Sequence, residues 1–325
     1  MSTNAVMFLE DCLSHINSSK VYIMWCTKYL EFFNSKTFSI HSEESVFAFL
    51  RFCSSQYAPT SLWQAYSCLC KVFLFKFKLN ISKDPMISSF LKGLSKNHLR
   101  KKSMVLSKES IDKFLADADN KEHLINKCAI VIGIHGLTRI SELCNLNFEN
   151  VTINQDCFIF NIVESKTDQA KKGWNFHVLS PFTFFIQMYI DLFKTTERSG
   201  RFFRNFTKEG KPTVTPMGKN KIGKIPCIIA SFLGLPDANS YTGHCMRRSG
   251  ATLLADNGAS KLMIKRAGRW KSDTVCDGYI DDSTSSKIQI ANVIGSTSHS
   301  ASNLKASESA KSIVLNGCSN VVINL

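Results

Sequence analysis

The sequence has no uninterrupted apolar stretch approaching the ~18 residues that a membrane-spanning helix needs. Its best run, residues 128–137, is short and contains His135. No basic segment precedes an apolar core at the N-terminus, so a secretory signal is not expected. The twelve cysteines never fall as CxxC, and Cys68 and Cys70 are the closest pair. Such spacing supports neither a zinc site nor a disulfide framework. Cys26, Cys53, Cys128 and Cys144 sit inside apolar periodic segments, which points to reduced, buried thiols in a reducing compartment. Acid is the scarce charge: 26 Asp plus Glu face 40 Lys plus Arg, for a net +14 with neutral histidine. A polyanionic partner is expected, nucleic acid ahead of an anionic membrane surface.

What remains is a globular composition, 44% hydrophobic and 20% charged, with enough length for two domains. Residues 1–98 read as a helical domain. Val21, Met24, Trp25, Tyr29, Leu30, Phe32 and Phe33 recur near the helical period. Ser42 is a candidate N-cap ahead of Glu43 and Glu44. Further helices are expected over residues 60–77 and from Pro85 to about Leu94. A basic linker follows at 99–106. It lies in a run holding Lys92, Lys96, Arg100, Lys101, Lys102 and Lys108 without an acid, suited to strap across a phosphate backbone.

Residues 107–285 read as a mixed domain. Ser107 is a candidate cap, and residues 121–136 predict an apolar helix. Residues 157–165 and 174–180 predict two strands flanking the turn KTDQAKKG. Pro181 opens a helix to Phe193, and 196–225 is basic and turn-rich. Helices are expected over 244–257, 260–267 and 272–280. Residues 286–325 predict a mobile Ser/Asn-rich tail that ends in a hairpin. A few strands among many helices makes the expected class mainly α with a small β-sheet, that is α+β.

Three segments carry chemistry. GLTRISELCNL places Arg139 at a helix boundary with Glu142 three residues on. ESKTDQAKKG places Lys166 at a hairpin tip. The third runs from GHCMRRSGAT to GRWKSDTVCDGYI and holds His244, Arg247, Trp270 and Tyr279 at separations of 3, 23 and 9. Taken singly, each has an ordinary explanation: a surface arginine, a solvated lysine, a structural histidine, a core tryptophan. Their joint order, spacing and context do not.

Together the segments resemble the tyrosine recombinases, or phage-integrase family, which share a catalytic fold with type IB topoisomerases. The resemblance implies a SAM-like helical core-binding domain at 1–98 and the catalytic domain at 107–285. RRSGAT and GRWKS…GYI look most like recombinases of Crypton-type eukaryotic mobile elements. Arg248 stands where many bacterial relatives have histidine, and Trp270 replaces a more common histidine. Lys171 and Lys172 share the hairpin, so Lys166 is not the only candidate there.

The chemistry so implied is transesterification of a DNA phosphodiester, cutting and rejoining strands through a 3′-phosphotyrosyl link to Tyr279. Arg139 and Arg247 would hold the non-bridging oxygens. Lys166 would act as general acid, His244 as base, Trp270 as a phosphate donor and Glu142 in support. No metal or cofactor is expected, and no carboxylate cluster suits a two-metal site. The expected partner is double-stranded DNA, held in a clamp by Lys96, Arg100, Lys101, Lys102, Arg201, Arg204, Lys219 and Lys221, with self-assembly from dimer to tetramer on it. A nuclear location is expected if the host is eukaryotic. The alternatives are a mobile-element protein that binds DNA without catalysis, and topoisomerase-like relaxation of supercoils.

Overall fold

The computed structural model describes residues 19–34, 42–96, 98, 101–155, 157–163, 173–207, 209–280 and 283–296. The chain divides into two compact units at Lys101/Lys102. The first holds α1 (Ser19–Phe32), α2 (Glu43–Cys53), α3 (Pro59–Phe77) and α4 (Pro85–Lys96). Ser42 caps α2 by accepting from Ser45 N, and Ser45 returns the bond to the Ser42 backbone. Asp84 Oδ1 accepts from Ile87 N at the start of α4. The helices close on an aromatic core in which Tyr29 meets Phe49 and Phe73 edge to face, with centroids 5.3 and 5.7 Å apart. Tyr29 and Ser45 satisfy one another's hydroxyls at 2.6 Å inside it. Cys26, Cys53 and Cys68 are buried here, and every described cysteine is a free thiol. Burial pushes the Cys26 thiol up to about 12, so it behaves as a small apolar group.

The second unit begins with α5 (Lys108–Asp117), capped by Ser107, and α6 (Asn120–His135). A tight turn leads into α7 (Ile140–Asn145). An antiparallel sheet follows in the order β1 (Val151–Ile153), β2 (Cys157–Ile162), β3 (Trp174–Leu179). In its register Ile162 pairs with Trp174 and Phe160 with Phe176. Then come α8 (Thr183–Asp191), the ribbon β4 (Arg204–Phe206) and β5 (Pro212–Pro216), α9 (Lys219–Gly223) and α10 (Ile225–Phe232). Last are α11 (Cys245–Asp256), α12 (Lys261–Gly268), α13 (Asp273–Ile280) and α14 (Thr284–Ser296). Helix α6 is apolar nearly all round because it is the central element, packed by α8, α10, α11 and β3.

Three parts differ from the sequence-based expectation. Residues 102–106, expected in the linker, belong to the second unit: Leu106 is fully buried, its N–H donates to Ser249 Oγ, and Met104 N–H donates to Ser240 O. The turn-rich stretch 196–225 contains the β4–β5 ribbon and α9. The tail expected from residue 286 continues instead as α14, because Asp256 accepts from Ser283 Oγ and Ser285 N and ties the helix start to α11. The C-terminal hairpin lies outside the described residues. No described helix is long and apolar enough to cross a membrane.

Candidate active site

The site is built round the α6–α7 turn. Gly136 ends α6, and a Cβ there would collide with the Phe176 ring and the Thr138 methyl. Leu137 takes a left-handed conformation, φ 44°. This turn points the Leu137 carbonyl away from the helix and sets Arg139 as the N-cap of α7. Glu142, one turn on, is 2% exposed and accepts from the Arg139 backbone N–H at 2.8 Å and from Arg139 Nη1 at 2.7 Å. One carboxylate thus fixes both the backbone and the guanidinium of the same arginine.

Helix α11 packs on α6 through small residues. A Cβ on Gly250 would strike the Ile134 carbonyl, so the two helices approach closely there. That contact delivers Arg247, 4% exposed, to the Leu137 carbonyl, to which Nη1 donates at 2.5 Å. Its Nη2 donates to Gly268 O. Two of five donors are used, which leaves the rest of the fork for a ligand. Burial first, then the charge of Arg139, holds the Arg247 guanidinium down at about 10. It stays cationic at neutral pH. A phosphate would relieve that repulsion, as a site preorganised for developing negative charge requires.

Trp270 and Tyr279 face one another across the end of α12. Their rings stack with centroids 4.7 Å apart at 24°. The Arg247 guanidinium lies 4.8 Å from the Trp270 ring centre, and that of Arg248 lies 5.6 Å from the Tyr279 ring centre. Gly268 leaves room for the indole, which a Cβ there would meet. Helix α13, carrying Tyr279, is held on α12 by buried Cys276 and by the ion pairs Lys261–Asp277 and Lys265–Asp273. His244 is the exposed N-cap residue of α11, one turn before Arg247.

The structure therefore brings Arg139, Glu142, Arg247, Trp270 and Tyr279 into one neighbourhood, and His244 caps the helix that carries Arg247. Lys166 and the alternatives Lys171 and Lys172 lie outside the described residues, as does Arg100. Two neighbours were not singled out from the sequence. Arg269 Nη2 donates to Glu142 Oε2 at 3.2 Å, and its guanidinium lies 3.3 Å from the centre of the Trp174 ring. The triplet Gly268-Arg269-Trp270 carried the only sequence signal for the first, and nothing marked Trp174.

The expected DNA contacts divide. Lys96, Lys101, Lys102, Lys219 and Lys221 are exposed. Arg201 is half-buried and donates to Asn145 O at 2.8 Å and Asn147 Oδ1 at 3.3 Å. Arg204 corrects the expectation. It is 8% exposed, donates to the carbonyls of Glu197, Ser199 and Arg201, and packs on Phe148 and Phe193. A guanidinium so enclosed is a structural brace for β4 rather than a phosphate contact. Among the described residues, no group of three or more His, Cys, Asp or Glu side chains could hold a metal ion.

This geometry can be set beside known proteins. No family model matches the chain. It is 26% identical over 219 residues to the integrase/recombinase xerD homolog of Selenomonas ruminantium, a match covering 64% of this chain. The chain spans 63% of that relative's length. Among solved structures, XerH site-specific recombinase bound to palindromic difH substrate, in a post-cleavage complex, superposes with TM-score 0.64 at 15% identity, covering 86% of this chain and 80% of that one. The chain has the fold of the tyrosine recombinases. The Tn1549 transposon integrase in complex with circular intermediate DNA also shares it, with TM-score 0.63 at 15% identity, over 89% of this chain and 99% of that one. So does a lambda integrase dimer bound to a COC′ core site, with TM-score 0.59 at 14% identity, over 87% and 96%. The cluster built on α7, α11, α12 and α13 holds Arg139, Glu142, Arg247, Trp270 and Tyr279.

Proposed function

We propose that the protein is a site-specific tyrosine recombinase or integrase that cuts and rejoins duplex DNA. The observation that carries this reading is the meeting of two guanidiniums, Arg139 and Arg247, with the stacked pair Trp270 and Tyr279. The Tyr279 hydroxyl attacks the scissile phosphorus, forming the P–Oη bond while the bond to the 5′-oxygen breaks. His244 takes the phenol proton, and Lys166 supplies a proton to the departing 5′-oxygen. The 3′-phosphotyrosyl link keeps the phosphodiester energy, and a 5′-hydroxyl from a second strand reverses the step. Arg139 and Arg247 hold the non-bridging oxygens, whose charge rises in the transition state, and the Trp270 N–H adds a donor.

Lys96, Lys101, Lys102, Lys219 and Lys221, with the net charge of +14, support duplex DNA as the partner. Joining two duplexes needs several copies, and the exposed Ile288 and Ile290 on α14 support self-association from dimer to tetramer. The wording of GRWKS…GYI supports a Crypton-type mobile element, with a nuclear place of action.

The test is a nicked suicide duplex built on the sequence that the protein itself selects from a random pool. Wild type should form a covalent protein–DNA adduct, and Tyr279→Phe should form none. An adduct that persists in Tyr279→Phe overturns the nucleophile. Specific binding with no adduct from wild type favours the binding-only alternative.

A further inference from the structure

Arg269 ends α12 in the left-handed conformation, φ 54° and ψ 42°. Helices usually place glycine there, because a Cβ is disfavoured in that region. An arginine in this place keeps its side chain against a local preference, and the side chain is engaged on several sides. Nη1 donates to Gly136 O and Ala267 O, both at 3.1 Å. Nη2 donates to Leu137 O at 3.3 Å and Glu142 Oε2 at 3.2 Å. The guanidinium plane covers Trp174, the first residue of β3, which pairs with Ile162 at the base of the β2–β3 hairpin.

Two consequences follow from this placement. Leu137 O receives both Arg247 and Arg269, so the two guanidiniums share one anchor. Glu142 receives Arg139 on both oxygens and Arg269 on the second. With Arg269 removed, a nearly fully buried carboxylate would lose one of its donors and would draw the Arg139 guanidinium closer. With Arg269 present, two guanidiniums share one carboxylate, and less of the Arg139 charge is spent on it. Burial holds Arg269 itself down at about 9, still cationic at neutral pH.

We propose that Arg269 is a positioning residue for strand cleavage: it shares Glu142 so that Arg139 stays aimed at the phosphate, and through Trp174 it ties that pair to β3. This rests on the proposed strand-transfer function. Arg269 acts through Glu142 and does not touch the reacting atoms.

The test uses the full-length chain and Arg269→Gly, which suits the left-handed backbone, with Arg269→Asn as a second variant that also tolerates it. In protein labelled with [¹⁵N]arginine, the Nε–Hε signal of Arg139 is identified by its loss in Arg139→Lys. That signal should shift in both variants while that of Arg51, on α2, stays in place. An Arg139 signal unmoved in both variants overturns the proposal, whether or not the wild type cleaves DNA. The second measurement is single-turnover adduct formation on a phosphate and on a scissile methylphosphonate, which has one non-bridging charge fewer. Both variants should be slower on phosphate by about 10²-fold, the scale of a small misplacement at a reacting centre. They should recover most of that loss on methylphosphonate, as Arg139→Ala should. Equal losses on the two substrates would make Arg269 merely structural and overturn the proposal, as would full activity in Arg269→Lys, whose ammonium lacks the planar fork. If wild type forms no adduct, the strand-transfer reading fails, and the Arg139 signal alone decides whether Arg269 positions it.

Discussion

Arg139, Arg204 and Arg247 are chemically the same residue with three different surroundings, and those surroundings set what each substitution does. Arg139 is partly exposed and paired to Glu142. Arg139→Ala should lower the single-turnover cleavage rate by about 10²–10³-fold, the usual effect of losing one preorganised donor, and should also lower the melting temperature, because the buried Glu142 carboxylate loses a donor. Arg247 is buried and bonded to the carbonyls of Leu137 and Gly268. Arg247→Ala should lose a similar factor in rate and also destabilise the fold, because the Gly268 carbonyl loses this donor and the Leu137 carbonyl loses one of two. Arg204→Ala should cost about 2–4 kcal/mol in urea unfolding while leaving DNA affinity unchanged in the folded protein. A drop in affinity without a drop in stability would restore Arg204 as a DNA contact. The sequence alone could not separate these cases. Arg204 reads as one more basic residue in a basic stretch, and its acceptors at Glu197, Ser199 and Arg201 become close only when the chain turns into β4.

Helix ends and close crossings are the features of single elements that matter to the site. Ser42 and Ser107 cap their helices as residue type and position imply, because a side-chain oxygen and the first free N–H groups lie within a few residues. The two strands on either side of KTDQAKKG were also legible, since alternation over a short run is local information. β1 was not, because three residues carry too little pattern. The crossing of α11 over α6 depends on Gly250, which faces the Ile134 carbonyl. Gly250→Ala should destabilise the second unit by about 1–3 kcal/mol, the range for overpacking, measured by denaturant titration. Cleavage should fall by more than the lost folded fraction accounts for, since the same helix carries Arg247. Full activity at unchanged stability would show that the crossing tolerates a methyl group.

The whole molecule is two units, each with its own core. The second unit, from Lys102 onward, draws its core from its own residues, so it should fold when produced without the first; a cooperative thermal transition would show this, and an aggregated or molten product would contradict it. Binding of the full chain to DNA should fall steeply with salt, by ~10³–10⁵ between 50 and 200 mM if six to ten phosphates are neutralised. Lys219→Ala and Lys221→Ala should each reduce the slope of that dependence by about one. A flat response would remove phosphate neutralisation as the basis of binding.

Charge sign, helical character, the main caps and the spacing from Arg139 to Tyr279 were set by the sequence alone, because composition and short-range periodicity act within a few turns of chain. The tertiary structure decided which cations are free for a ligand and which are spent inside. It enclosed Arg204 among carbonyls, buried Leu106 of the expected linker, and placed Arg269 between Glu142 and Trp174. Those outcomes depend on partners up to 133 positions apart, and only packing settles them: a guanidinium's hydrogen-bond partners are the carbonyls that surround it in space, near in the chain for Arg204 and far for Arg269.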